Sequence, residues 1–262
     1  MTAAFAPLDL LAEPSPRVHL LGGAVDAITS EALMDFVGDC VTRGRRAIVA
    51  NHNLHSLYLV RRDPEMASLY GMADRVQADS TPMIAWGRLL GRPIRRAHRA
   101  TYLDWRERFW RRAAESGWRV FYLGGAPGVA ERGAQAIRAR WPSAIIEVCD
   151  GYFDMDDPVQ ALAVREQVAD WRPTVLLVGM GMPRQERWIA RNHRSLPPCV
   201  MFSIGAAFDY EAGVIATPPR WTGRVGLEWL YRFVTEPHRL FSRYFIEPWS
   251  LIGPALSDLT GR

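Results

Sequence analysis

The feature that most restricts the fold of this chain is an unbroken apolar run at residues 174–178, Thr-Val-Leu-Leu-Val, which is followed at once by glycines. A continuous apolar run of this length indicates a strand that is buried on both faces, as in a parallel sheet. Gly179 and Gly181 allow a tight turn after the strand, and Pro183 suits the first turn of a helix. The N-terminus of such a helix can bind a phosphate or another anion. An ordinary strand-to-helix connection without a ligand is the alternative interpretation.

Similar strand-like runs recur between about residue 18 and residue 210, with helical patterns between them. Apart from a strand and turn near residue 18, the predicted strands cover residues 47–50, 75–79, 118–123, 144–148, 174–178 and 199–204. This alternation predicts an α/β, Rossmann-like fold with a largely parallel sheet flanked by helices. We therefore expect an N-terminal arm at residues 1–17, an α/β catalytic domain at residues 18–219 and a C-terminal helical appendage at residues 220–262.

The basic residues restrict the chemistry, because all 32 of them are arginines. A chain without lysine cannot use a lysine nucleophile or a Schiff base. Its net charge is +4 and guanidinium groups bind phosphates in bidentate fashion, which is compatible with an anionic partner. A solvated surface is the more common explanation of such a small excess of arginine. The three cysteines have no metal-ligand spacing and no apolar run reaches ~18 residues, so we expect neither a metal site nor a membrane-spanning helix. The N-terminus has no basic residue before Arg17, which argues against a secretory signal.

Polar or glycine residues follow most of the predicted strands, where parallel sheets bind their ligands. These residues are Asn51 to Asn53, Asp79, Gly124 and Gly125, Asp150 and Gly151, Gly179 to Gln185, and Asp209. Asp79 is the best candidate for a general base, because a carboxylate at a strand end can take a proton from a hydroxyl group. The alternative is that Asp79 caps the helix that follows it.

Two other classes of protein have to be considered, one because it shares the predicted fold and the other because it shares the basic charge. Gly179-x-Gly181-x-x-Arg184 lacks the third small residue of the dinucleotide fingerprint, which argues against an NAD(P)-dependent oxidoreductase. A non-enzymatic module that binds a membrane surface or nucleic acid would use the basic stretch at residues 88–112 and the tail. A solvated helix face is the simpler explanation of that stretch.

The tail combines arginine and aromatic residues. If residues 237–245 form one helix, Arg239 and Arg243 share a face, and the opposite face carries Leu240, Phe241, Tyr244 and Phe245. Such a helix either lies in a membrane interface or docks on the core.

Four stretches together resemble one family. They are Val76-Gln-Ala-Asp79 with Trp86-Gly-Arg-Leu-Leu-Gly91, Tyr122 to Gly128 with Asp150-Gly-Tyr-Phe153, Leu177 to Glu186, and Gly205-Ala-Ala-Phe-Asp209 with Gly226 to Arg232 and Glu236-Pro237. In this order, across roughly residues 18–245, they resemble the WecG/TagA/CpsF family, glycosyltransferase family 26.

The resemblance implies an inverting transferase that needs neither a metal nor a cofactor. It would move a sugar from a UDP-sugar to a polyprenyl-diphosphate-linked sugar at the cytoplasmic face of the bacterial plasma membrane, which the appendage contacts. Asp79 matches the proposed catalytic base of the family, and Arg232, Arg239 and Arg243 match the arginines that close over the diphosphate. We expect no nucleic-acid partner and leave oligomerisation open. The expected substrate-binding residues are Asn53, Arg99, Thr101, Asp104, Gly124, Gly125, Asp150, Gly151, Tyr152, Gly179, Gly181, Pro183, Gln185, Glu186 and Asp209.

Three departures from the family pattern flank the expected pocket. Ser80 stands where the family usually has glycine, Asn51-His-Asn-Leu54 replaces Thr-x-Asn-Pro, and Tyr102 replaces a glycine. Such departures occur in the exopolysaccharide type of the xanthan pathway, which adds glucose, so we expect glucosyl transfer. Transfer of N-acetylmannosamine or its uronic acid is the alternative.

Overall fold

The computed structural model describes residues 15–219 and 228–260 and contains a six-stranded parallel sheet. Its strand order is β4-β3-β8-β7-β5-β6. The strands are β3 (Ala47–His52), β4 (Arg75–Ala78), β5 (Arg119–Gly124), β6 (Ile145–Cys149), β7 (Val175–Gly179) and β8 (Val200–Ser203). The predicted α/β fold with a largely parallel sheet is confirmed.

Strand β7 lies inside the sheet, between β5 and β8. All five of its residues are buried because helices cover both faces of the sheet. This burial explains why its sequence is an unbroken apolar run rather than an alternating one.

Helices form a layer on each face of the sheet. One layer packs around Trp105, Phe109, Trp110 and Phe202, and the other contains Leu57, Leu69, Trp188 and Ile189. The helices of the first layer are α1 (Ser30–Thr42), α5 (Tyr102–Glu115), α6 (Val129–Arg140) and the short α9 (Ala207–Glu211). Those of the second are α2 (Leu54–Val60), α3 (Pro64–Met72), α4 (Thr81–Leu89), α7 (Pro158–Trp171) and α8 (Arg184–Asn192).

The strand predicted near residue 18 is not part of the parallel sheet. It forms an antiparallel hairpin of β1 (Arg17–Leu20) and β2 (Gly23–Asp26). Leu21 and Gly22 both have positive φ, at 54° and 75°, which suits a two-residue hairpin turn. The Asp26 carboxylate accepts the Val76 N–H at 2.6 Å and thereby attaches the hairpin to β4.

The described part of the tail is a chain of short helical segments that returns to the core. They are Glu228–Thr235, Pro237–Phe241, a π-helical turn Ser242–Ile246, a 3₁₀ turn Glu247–Leu251 and Ile252–Thr260. Asp258 accepts the Leu21 N–H at 2.8 Å and the Trp86 Nε1–H at 2.9 Å. Within residues 15–219 and 228–260, no helix combines the length and the apolar character that crossing a membrane requires.

The expectation of one apolar tail face was wrong. Leu240 is buried, whereas Phe241 and Phe245 are exposed. Leu240 and Phe241 are neighbours in the α-helix Pro237–Phe241, so the boundary between the buried and the exposed side of the tail passes between them. The helix continues after Phe241 as a π-helical turn. Most of the expected N-terminal arm, residues 1–14, lies outside the described residues, as does the side chain of Arg239.

Candidate functional site

A cavity of about 490 Å³ lies at the carboxyl ends of the strands. Twelve of the expected site residues line it: Asn53, Asp79, Thr101, Gly125, Gly151, Tyr152, Gly179, Gly181, Gln185, Asp209, Arg232 and Arg243. They come from the end of β7, from the segments after the six strands, from the start of α5 and from the tail, so the fold brings together residues that are far apart in sequence.

Two glycines allow the strand ends to approach each other closely. A Cβ atom on Gly124 would lie 2.3 Å from the carbonyl oxygen of Gly179, and one on Gly179 would lie 2.5 Å from that of Gly205. No side chain fits at these distances. Gly124 does not line the cavity, so its observed contact is with β7 rather than with the cavity.

Asp79 does not cap the following helix. The cap of α4 is Ser80, whose hydroxyl accepts the Met83 N–H at 3.5 Å. The Asp79 N–H bonds to the His52 carbonyl at 2.8 Å, which extends the pairing of β3 and β4 by one residue. Its side chain lines the cavity.

Asn53 both caps a helix and lines the cavity. Its Oδ1 accepts the Ser56 N–H at 2.9 Å at the start of α2. Asn51, two residues earlier on β3, also lines the cavity, and its Oδ1 is buried without a hydrogen-bond partner among the described residues. Asn51 pairs in register with Gln77 of β4, whose Oε1 accepts the Trp105 Nε1–H at 3.0 Å. In the sequence, Asn51 and Gln77 are polar residues within strands that are otherwise largely buried, and this pattern could have indicated that both face a site.

Glu186 lies behind the cavity and holds a cavity residue. Gln185 accepts the Gly205 N–H at 3.0 Å and donates to Glu186 Oε1 at 2.7 Å. Glu186 is fully buried, and burial raises its carboxyl pKa to about 7, against the hydrogen bond from Gln185. Its position therefore corrects the expectation that Glu186 itself contacts substrate, because the helix turns its carboxyl towards the core.

Asp104 likewise lies off the cavity. Its Oδ2 accepts the Thr101 N–H at 3.0 Å and the Thr101 hydroxyl at 2.8 Å, which caps α5. Arg99 Nη1 lies 3.8 Å from the same oxygen. Only Thr101 of these three lines the first cavity.

Asp150 and Pro183 support the turns around the cavity without lining it. Asp150 Oδ1 accepts the Tyr152 N–H at 2.8 Å, and Tyr152 stands 74% exposed at the rim. Pro183 immediately precedes α8, which begins at Arg184, one residue later than expected.

A second cavity of about 360 Å³ lies between the core and the tail. Its tail wall includes Trp229, Leu240, Tyr244 and Phe245, and Arg99 lines its core side. Five side chains line both cavities: Asn53, His55, Asp79, Arg232 and Arg243. The junction therefore carries one carboxylate, one imidazole and two guanidinium groups.

Sequence reasoning missed His55 at this junction. His55 Nδ1 lies 2.5 Å from Glu247 Oε2, and both side chains are largely buried. His55 follows Asn53 by two residues, but its partner is 192 residues away, so no local pattern indicated the pair.

Comparisons with known proteins show the family of the chain. The family model described as Glycosyl transferase WecG/TagA/CpsF family matches residues 18–262. The chain is also similar to proteins named N-acetylglucosaminyldiphosphoundecaprenol N-acetyl-beta-D-mannosaminyltransferase from Staphylococcus aureus strains NCTC 8325 / PS 47, COL and MRSA252. Each is 25% identical over 234 residues, which cover 86% of this chain and 87% of the relative.

Proposed function

This chain belongs to the WecG/TagA/CpsF family of glycosyl transferases, and from that premise we propose that it transfers N-acetylmannosamine from its UDP-sugar to N-acetylglucosaminyl-diphospho-undecaprenol. The observation that carries the proposal is the position of Asp79, where a polar cavity and an apolar cavity meet beside Arg232 and Arg243. The polar cavity suits a sugar nucleotide, and the apolar one suits the first part of a lipid.

The sugar in this proposal differs from the one expected from the sequence. The relatives' names support the N-acetylmannosamine alternative and do not support glucose. Membership of a glycosyl transferase family also leaves no support for the oxidoreductase or the non-enzymatic binding module.

The proposed reaction is a single displacement at the anomeric carbon. The acceptor hydroxyl oxygen forms a bond to that carbon while the bond from the carbon to the UDP oxygen breaks. The electron pair of the broken bond leaves with UDP, and the hydroxyl proton passes to Asp79. Because the attack comes from the face opposite UDP, the anomeric configuration inverts.

Arginines supply the positive charge that the departing diphosphate needs. Arg232 and Arg243 line the junction, so their guanidinium groups suit bidentate binding of phosphate oxygens. We include Arg239 among the arginines that bind the diphosphate, and this assignment depends on the family resemblance alone. Asn51 and Gln185 stand on the core side of the cavity, where they suit the donor sugar.

We propose that the tail also contacts the membrane surface that holds the acceptor. Phe241, Phe245 and Trp249 are 53%, 45% and 72% exposed, and they belong to the segment whose Leu240, Tyr244 and Phe245 line the apolar cavity. Aromatic side chains at a lipid interface bury apolar surface in the boundary of the bilayer. On the family resemblance, we propose the inner face of the plasma membrane as the site of action.

The experiment is a panel of UDP-sugars with a short-chain N-acetylglucosaminyl-diphospho-lipid, followed by UDP release and by NMR of the product linkage. Release with UDP-N-acetylmannosamine and an inverted product supports the proposal, whereas faster transfer of glucose would overturn the choice of sugar. No release with any UDP-sugar would overturn the proposed function.

The Asp79→Asn variant tests the base. We expect turnover to fall by roughly 10²–10⁴-fold while the thermal unfolding temperature stays near that of the wild type. Asp157→Asn is the matched control, because Asp157 is a carboxylate that caps a helix, α7, and lines neither cavity. Near-normal turnover of Asp79→Asn would contradict the assignment of Asp79 as the catalytic base.

A further inference from the structure

The His55–Glu247 pair joins the core to the tail at the reaction site. His55 belongs to α2 and Glu247 to the tail segment Glu247–Leu251, and their side chains are 14% and 10% exposed. At 2.5 Å apart, Nδ1 and Oε2 lie within hydrogen-bonding distance of each other. The pair therefore forms only where the tail is docked on α2.

The imidazole ring faces substrate space as well as its carboxylate partner. His55 lines both cavities, together with Asp79, Arg232 and Arg243. A carboxylate bonded to Nδ1 fixes the orientation of the ring and stabilises its protonated form. The ring then presents its Nε2 edge, with a proton, as a hydrogen-bond donor.

The leaving phosphate must lie close to this ring in the proposed reaction. The β-phosphate of a nucleoside diphosphate sugar is bonded through one oxygen to the anomeric carbon, and Asp79 must reach the hydroxyl that attacks the same carbon. In the proposed reaction the β-phosphate therefore lies at the junction that Asp79 shares with His55, Arg232 and Arg243.

We propose that His55 is a further catalytic residue, donating a hydrogen bond from Nε2 to the β-phosphate of the departing nucleoside diphosphate, and that Glu247 is its positioning residue. No proton is transferred in this contact. UDP leaves with the electron pair of its bond to the sugar, and the imidazolium stabilises the added negative charge. Because Glu247 comes from the tail, the donor is oriented only when the tail has docked.

This inference rests on the proposed function, and its test separates the two. Calorimetric titration measures the affinity of the full-length protein for UDP and for UMP, which lacks the β-phosphate. His55→Gln should bind UDP roughly tenfold to a hundredfold more weakly and bind UMP like the wild type, because only the contact with the β-phosphate is lost. Its kcat for sugar transfer should fall by a similar factor.

Two further variants distinguish the chemical role from tail docking. Glu247→Gln keeps an acceptor for Nδ1 but removes the charge, so a smaller loss of UDP affinity, roughly threefold to tenfold, is expected with UMP unaffected. Arg61→Ala is the matched control: Arg61 directly follows α2 and donates to the Ser250 carbonyl at 2.9 Å, but it lines neither cavity. It should leave the ratio of UDP to UMP affinity unchanged.

The outcomes are distinct. Equal UDP affinity in His55→Gln and the wild type would overturn the inference alone, as would an equal loss of UDP and UMP affinity or a selective loss in Arg61→Ala. A wild type that binds UDP but transfers no sugar would overturn the proposed function alone. A wild type that binds no UDP would overturn both.

Discussion

Glu186 shows at the residue scale how a buried carboxyl can serve a site that it does not line. It accepts a hydrogen bond from Gln185 at 2.7 Å, and burial raises its pKa to about 7. The folded protein therefore keeps the proton over a range in which the unfolded chain releases it. In this range folding stability must fall as the pH rises, because the native state binds more protons than the unfolded state.

We predict that Glu186→Gln removes this part of the pH dependence. The shift from 4.5 to about 7 corresponds to roughly 3 kcal/mol, so the free energy of unfolding of the wild type relative to the variant should fall by up to that amount between pH 4.5 and 7. Urea unfolding at several pH values measures the difference.

The comparison with the Glu186→Gln variant is necessary because His52 changes folding stability with pH in the opposite direction. Burial lowers the pKa of His52 to about 3, so its contribution to stability is lost as the pH falls from the ordinary value of 6.5 towards 3. His52 is present in both proteins and cancels in the difference. A difference that does not change between pH 4.5 and 7 would contradict the assignment to Glu186.

At the scale of elements, the tail segment Pro237–Leu251 divides its apolar side chains between two environments. Leu240 and Leu251 are buried, whereas Phe241, Phe245 and Trp249 are exposed. The two sets lie on different sides of the same helical turns, because Leu240 and Phe241 share the α-helix and Trp249 and Leu251 share the 3₁₀ turn. The exposed set is the surface that we propose for membrane contact.

We predict that a triple variant with serine in place of Phe241, Phe245 and Trp249 binds anionic lipid vesicles roughly tenfold or more weakly than the wild type. Vesicle co-sedimentation measures the binding, and circular dichroism reports whether the fold is kept. Ile145→Ser is the control, because Ile145 is 42% exposed but begins β6 at the opposite edge of the sheet. Unchanged binding of the triple variant would show that the tail aromatics do not contact lipid.

At the scale of the whole molecule, hydrogen bonds between described residues attach the tail to the core. His55 contacts Glu247, Arg61 donates to Ser250, and Asp258 accepts two N–H groups from the core. The attachment of Asp258 lies away from both cavities at the strand ends, so it holds the last helix without taking part in the proposed chemistry.

We predict that Asp258→Ala loosens the last helix, because the Leu21 and Trp86 N–H groups lose their acceptor at a cost of about 1–3 kcal/mol each where they stay buried. Hydrogen exchange across residues 252–260 should become faster, and UDP affinity should not change. Asp258→Asn keeps one acceptor oxygen and should show a smaller effect. Exchange that is as slow as in the wild type would mean that apolar packing alone holds this helix.

The sequence by itself determined the parallel sheet, because burial on both faces leaves an unbroken apolar run such as that of β7. It also determined which residues follow the strands, and therefore that Asp79, Gly179 and Asp209 meet at one edge. Both inferences depend on local pattern and on the common direction of parallel strands.

Only the tertiary structure decided what each polar residue at that edge contacts. Asp104 and Glu186 were both expected to bind substrate, yet their carboxyl groups bond to Thr101 and Gln185 rather than lining the cavity. His55 and Glu247 meet across 192 residues, and the packing of the tail on the core buries Leu240 while its neighbour Phe241 stays exposed. Sequence periodicity specifies how residues of one element are spaced, whereas these contacts depend on how separate elements dock, which no local pattern encodes.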